Sequence, residues 1–149
     1  MRIEEEIKQK KFKSPYHKAA LNVLFTASWI NGKNNALLKP YSISPQQYNV
    51  MRILRGQHPK PVSVTMIQAR MLDKSSNASR LVDKLLKQEL IMRAVCENDR
   101  RQVEISLTDK GMLILGEIDE KMDKTENHLA KLSPDEAMML SYLLDKLRG

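Results

Sequence analysis

Between Ser76 and Leu107 the apolar pattern changes from a helical period to a strand period, and that change constrains the fold more than any other feature of the chain. Ala78, Leu81, Val82, Leu85 and Leu86 recur at the three-and-four spacing of an α-helix, which makes one face apolar. The opposite face carries Asn77, Ser79, Arg80, Asp83, Lys84 and Lys87. The helix is expected to end near Gln88. Ile91 to Val95 then reads as a strand, and Gln102 to Leu107 alternates, with Val103, Ile105 and Leu107 on one face and Gln102, Glu104 and Ser106 on the other. The polar stretch between them, Cys96 to Arg101, holds Asn98 and Asp99, whose side chains bond nearby backbone and tolerate left-handed geometry, so it suits a turn.

Upstream, Ser63 to Leu72 has a short helical pattern with Ser63 as its N-cap, and a turn through Asp73 and Lys74 joins it to the next helix. Helix, turn, helix and hairpin in this order describe a winged helix-turn-helix. The first turn of the second helix is crowded with short hydrogen-bonding side chains. Ser75 or Ser76 is expected to cap it, leaving other N–H groups and the positive dipole end to face a phosphate. In that geometry Ser76, Asn77, Ser79 and Arg80 meet base edges or adjoining phosphates of a major groove, with Ser75 also at the DNA and Arg80 suited to bidentate contact with guanine. Lys74, Lys84 and Arg100 suit phosphates. The bland reading is a helix pair that only builds core, with Arg100 and Arg101 in a solvated turn paired to Glu97 and Asp99.

The run Asn77-Ala78-Ser79-Arg80-Leu81-Val82-Asp83-Lys84-Leu85, Asp99-Arg100-Arg101 at the wing tip, and Leu107-Thr108-Asp109-Lys110-Gly111 after the second wing strand resemble the MarR (multiple antibiotic resistance regulator) family of dimeric bacterial transcription factors. The resemblance implies a mainly α fold with a small β-hairpin wing. Residues 1–149 form a single MarR-like domain, 44–107 its DNA-binding part, and 1–40 and 108–149 its helical dimerisation part. It further implies binding to pseudo-palindromic double-stranded operator DNA, release by a small ligand or by oxidation, and Arg101 in the minor groove. Asp99 then orients an arginine. Where the family usually ends its recognition helix with Gly this chain has Glu89, so that helix is expected to end without a left-handed residue.

The flanking regions read as helices. Ser44-Pro45-Gln46-Gln47 and Ser133-Pro134-Asp135-Glu136 are capping boxes with proline at the first helical position. Ser14-Pro15 opens a helix bearing Leu21, Leu24, Phe25, Ser28 and Trp29 and ending by Lys39-Pro40. Thr108 caps a long helix with Met112, Leu115, Ile118, Met122, Leu129 and Leu132. A small winged domain cannot cover so much apolar helix, which points to a homodimer; a monomeric helical hairpin is the alternative. Trp29, Tyr41, Tyr48 and Met51 form a candidate crevice for an aromatic effector, or are simply core.

Charge supports the same division. Of the formal net charge of +7, residues 19–59 hold four basic and no acidic residues, 60–107 hold nine against six, and 108–149 hold six against nine. A basic middle suits a polyanion. No signal peptide or membrane span is legible, and the single Cys96 fits a reducing, cytoplasmic setting. Cys96 is either an oxidation sensor or a semi-buried strand residue. His17, His58 and His128 show no metal spacing and there is no phosphate-binding glycine loop, so neither a cofactor nor an enzyme is indicated. The rival to a DNA-binding regulator is a winged-helix adaptor acting through protein contacts.

Overall fold

Short side chains immediately upstream of the apolar periods set the helix boundaries. The computed structural model describes residues 1–95, 103–125 and 131–149. After α1 (Ile3–Glu6), α2 spans Pro15–Leu38, and the Ser14 hydroxyl accepts the His17 N–H at 3.1 Å. A 3-10 turn over Lys39–Tyr41 leads to α3 (Pro45–Gln57), where Ser44 and Gln47 form the expected reciprocal box at 3.2 and 2.9 Å. Ser63 caps α4 (Val64–Arg70) by accepting from Met66 at 3.2 Å. Three elements follow, α5 (Ala78–Lys87) and the strands β2 (Ile91–Val95) and β3 (Val103–Leu107). Thr108 then caps α6 (Asp109–Thr125), and the Ser133–Glu136 box opens α7 (Pro134–Arg148) at 3.2 and 2.8 Å. Each such cap contributes about 1 kcal/mol.

The sheet has one more strand than the hairpin reading supplies. β1 (Val62–Ser63) pairs antiparallel with β3, Val62 opposite Ile105, so the order is β1-β3-β2 and β3 is central. Two residues are too few to show a period of two, which is why this strand is silent in the sequence. Val62 and Ile105 are both buried; α3 packs against β3, α4 against β1 and β3, and α5 against β2, α3 and α4, and Val50, Met51, Leu54, Ile67, Val82 and Leu85 of these helices are buried. Burying such side chains stabilises by about 1.5–3 kcal/mol apiece.

The chain divides into two compact units, residues 1–116 and 117–149, with α6 beginning in the first and ending in the second. Among the described residues, no helix is long and apolar enough to cross a membrane. Two helices keep their apolar surface uncovered. In α2 only Leu38 is buried, while Tyr16 and Leu24 are exposed. In α7 nothing is buried, and Met138, Met139, Tyr142, Leu143 and Leu147 are exposed.

Candidate nucleic-acid interface

The turn between α4 and α5 is built on Asp73. Its carboxylate accepts the Ser75 hydroxyl at 2.6 Å and the Ser75 N–H at 3.0 Å, while its carbonyl accepts the Ser76 N–H at 3.2 Å. The Ser75 hydroxyl, then the Ser75 amide and the Ser76 hydroxyl, hold the Asp73 carboxyl below the usual carboxylate range. This turn changes the cap. Because Asp73 claims both serines, the N-cap of α5 is Asn77, whose Oδ1 accepts the Arg80 N–H at 3.0 Å, rather than Ser75 or Ser76. The preceding helix correspondingly stops at Arg70 instead of Leu72.

Long-range side chains, which no local pattern announces, hold this turn in place. Gln68 of α4 accepts the Ala78 N–H at 3.0 Å, supplying a partner for one of the orphan donors at the start of α5. Asn49 of α3 accepts the Leu72 N–H at 2.9 Å. Lys74 donates its ammonium to the Ala69 carbonyl at 2.6 Å, so it closes the end of α4 while remaining on the surface.

Beyond the cap, Ser79, Arg80, Asp83, Lys84 and Lys87 are all exposed on the outer face of α5, and Ala78, Val82 and Leu85 are buried on the inner one. Ser75, Ser76, Asn77, Arg80 and Lys84 share one shallow concavity of about 440 Å³ with Gln46 and Leu81. Five of the sequence-selected residues thus share one surface, and Ser79 is exposed next to Arg80 on the helix face that also carries Asp83. The acidic residue among them is partly neutralised, since the Arg93 guanidinium of β2 lies 3.9 Å from the Asp83 carboxylate. Arg93 was not among the residues singled out from the sequence. At the surface such a pair is worth at most about 1 kcal/mol, but it leaves the face net positive. Arg100, Arg101, Asp99 and Cys96 lie outside the described residues.

At its other end α5 closes with a left-handed residue after all. Glu89 has φ 59°, the Glu89 N–H donates to Leu86 at 3.0 Å, and the Leu90 N–H donates to Leu85 at 3.1 Å. These two bonds make a Schellman motif, with Leu90 and Leu85 both buried beneath it. The expectation that Glu89 excludes this ending is therefore corrected. The local bonds and the buried leucines outweigh a steric cost of about 1–2 kcal/mol for a residue with a Cβ. The Thr108-Asp109-Lys110-Gly111 run explains why the ending is fixed. The Thr108 hydroxyl donates to the Glu89 carbonyl at 2.8 Å and accepts the Gly111 N–H at 3.1 Å, and the Lys110 ammonium donates to the Gln88 carbonyl at 2.8 Å. Gly111 is required because a Cβ there would collide with the Leu90 carbonyl oxygen.

The four aromatic and Met candidates differ in exposure. Met51 is fully buried in the core, Trp29 and Tyr41 are half-buried, and Tyr48 lines a concavity of about 550 Å³. There the Tyr48 hydroxyl accepts from the Arg52 guanidinium at 3.1 Å, beside Asn31, Asn34 and Asn49. Among the described residues, no group of His, Cys, Asp or Glu is placed to hold a metal.

Comparison with known proteins agrees with this architecture. The model of the MarR family matches residues 43–103. The HTH-type transcriptional regulator MgrA of Staphylococcus aureus is 32% identical over 114 residues, 76% of each chain. A MarR transcription factor from Planctomyces limnophilus superposes with a TM-score of 0.67 at 29% identity, over 91% of this chain and 98% of that one. A mutant of S. aureus MepR bound to an oligodeoxyribonucleotide shares the fold with a TM-score of 0.58 at 20% identity, over 87% of this chain and 94% of that one.

Proposed function

This chain belongs to the MarR family of DNA-binding transcription regulators, which are not enzymes, and from that premise we propose that it is a cytoplasmic homodimeric repressor of pseudo-palindromic operators, released by a small ligand. One observation carries the reading. The start of α5 presents Ser75, Asn77, Ser79, Arg80 and Lys84 exposed and Ser76 half-buried, with the Asp73 carboxylate bonded to Ser75 and the Asp83 carboxylate beside Arg93. In this account Arg80 makes a bidentate contact to guanine, while Ser76, Asn77 and Ser79 meet base edges or the sugar-phosphate beside them. Ser75 and Lys84 meet phosphates, and Lys74 adds positive charge close by. Arg100 meets phosphate, and the family resemblance implies that Arg101 enters the minor groove, whose negative potential attracts guanidinium groups.

The uncovered apolar residues of α2 and α7 support a second copy as partner, since exposed patches of this kind mark interfaces. A two-fold dimer presents two α5 helices to half-sites about 34 Å apart or a multiple of that. For the effector, the concavity at Tyr48 and Arg52 supports an aromatic anion, with the ring for stacking and the guanidinium for charge.

The test is selection of duplexes from a random pool by the full chain, followed by binding of the selected and an unselected duplex across a salt series. Binding that favours the selected duplex and weakens steeply with salt is expected, and Lys84→Ala lowers both affinities alike while reducing the salt slope by about 1. Weak salt dependence with no selected sequence would instead favour an adaptor that binds protein.

A further inference from the structure

The C-terminal end of α5 is joined to two distant parts of the chain by a relay of side-chain amides. The Gln88 Nε2 donates to the Ser42 carbonyl at 2.9 Å, and the Gln88 Oε1 accepts from the Gln47 Nε2 at 3.2 Å. Gln47 in turn accepts the Ser44 N–H at its Oε1, at 2.9 Å. Both ends of the relay are main-chain groups of fixed character. Because the Ser44 N–H can only donate and the Ser42 carbonyl can only accept, each amide has one permitted orientation. Gln47 is the buried polar residue of the described core, so its pairing with Gln88 replaces water that cannot reach it.

The main chain of Gln88 is engaged as well, its N–H donating to Lys84 at 3.3 Å and its carbonyl accepting from Lys110 at 2.8 Å. One residue thus attaches the end of α5 to the junction after α2, to the first turn of α3 and to the first turn of α6. Ser42 itself sits at φ 55° directly after the 3-10 turn, so this junction has a fixed shape for the amide to hold. Glutamine suits the position because it carries a donor and an acceptor together. Glutamate has no donor for Ser42, and methionine fills the same volume with neither.

The ten residues of α5 make a rod about 15 Å long. Moving its C-terminal anchor by about 1 Å swings the opposite end by a comparable distance, which is more than the window of a good hydrogen bond allows. We propose that Gln88 is a positioning residue for base readout: through the Gln47–Gln88–Ser42 relay it sets the angle at which α5 presents Arg80, and thereby the selectivity of DNA binding rather than its strength. This rests on the DNA-reading role proposed above for the start of α5.

The test uses the full chain and its Gln88→Met, Gln88→Glu and Gln47→Met variants, each titrated with the duplex selected by the wild type and with an unselected duplex of the same length. Affinity for the selected duplex falls about tenfold in every variant, while affinity for the unselected one changes less than about twofold, because phosphate contacts tolerate a small tilt and bidentate base contacts do not. The salt slope stays that of the wild type. The Gln47→Met/Gln88→Met double variant loses no more than either single one, as members of one relay should. Equal losses on both duplexes, or full selectivity in folded variants, overturn the proposal. If Gln88→Met melts below the assay temperature, Gln47→Met cuts the same relay without altering α5 and decides the question. A wild type that selects no sequence removes the premise instead, a result distinct from a selective wild type whose variants stay selective.

Discussion

The two ends of α5 are held by opposite means. At its start the bonds are mostly local and polar, Asp73 to Ser75 and Asn77 to Arg80, with Gln68 and Lys74 tying the turn to α4 and Asn49 tying it to α3. At its end they are long-range, and they converge from Ser42, Gln47, Thr108 and Lys110 onto Gln88 and Glu89, above the buried Leu85 and Leu90. The first end is exposed and carries cations and hydroxyls; the second is clamped. This is the arrangement of a probe gripped at its base, in which exposed tip side chains such as Arg80 and Lys84 are free to vary without harm to folding.

The contrast is broken most severely at Gly111. Gly111→Ala drives a Cβ into the Leu90 carbonyl and should cost roughly 3 kcal/mol, read as a lower urea midpoint with an unchanged slope. A variant as stable as the wild type would show that the clamp yields freely. A gentler change sharpens the same end. Glu89→Gly relieves the left-handed backbone at φ 59° and should raise stability by about 1 kcal/mol with DNA affinity unchanged. A fall in stability would mean that the Glu89 side chain, 3.7 Å from the Lys110 ammonium, matters more than the backbone strain.

The smallest effect lies at the tip. Because the folded-state carboxyl of Asp73 is lowered by its serine donors, its contribution is complete above the unfolded value of about 3.9 and is lost as pH falls through the folded value. The difference in melting temperature between wild type and Asp73→Asn should therefore be constant near neutral pH and close below about pH 4. A difference that persists unchanged in acid would remove the carboxylate from the account of the turn.

Local features were legible from the residues alone, and long-range ones were not. Ser14, Ser44, Ser63, Thr108 and Ser133 each cap the helix read from them, and the strands of the wing fall at Ile91–Val95 and Val103–Leu107 as the alternation predicts. The misreadings came where several residues compete for one role. Ser75, Ser76 and Asn77 are all good caps, and only the geometry of Asp73 decides among them. Glu89 was misjudged because residue preference speaks against left-handed glutamate, whereas the bonds from α6 that hold it there arrive from nineteen residues away. Gln68, Asn49 and Gln88 show no periodic signal, since a glutamine that joins two helices looks in sequence like any solvated one. Arg93 escaped notice for the same reason, its partner Asp83 lying in another element. The family resemblance located the surface; the caps and relays that aim it came from the fold.

The central claim, that the start of α5 reads base sequence, is tested most directly by titrating wild type and Arg80→Ala against every single-base variant of the selected duplex. The account predicts that Arg80→Ala loses about 1–3 kcal/mol on the selected sequence and becomes indifferent to the base at one position in each half-site, with all other preferences retained. A uniform loss across all variants, or an unchanged preference at every position, would contradict it.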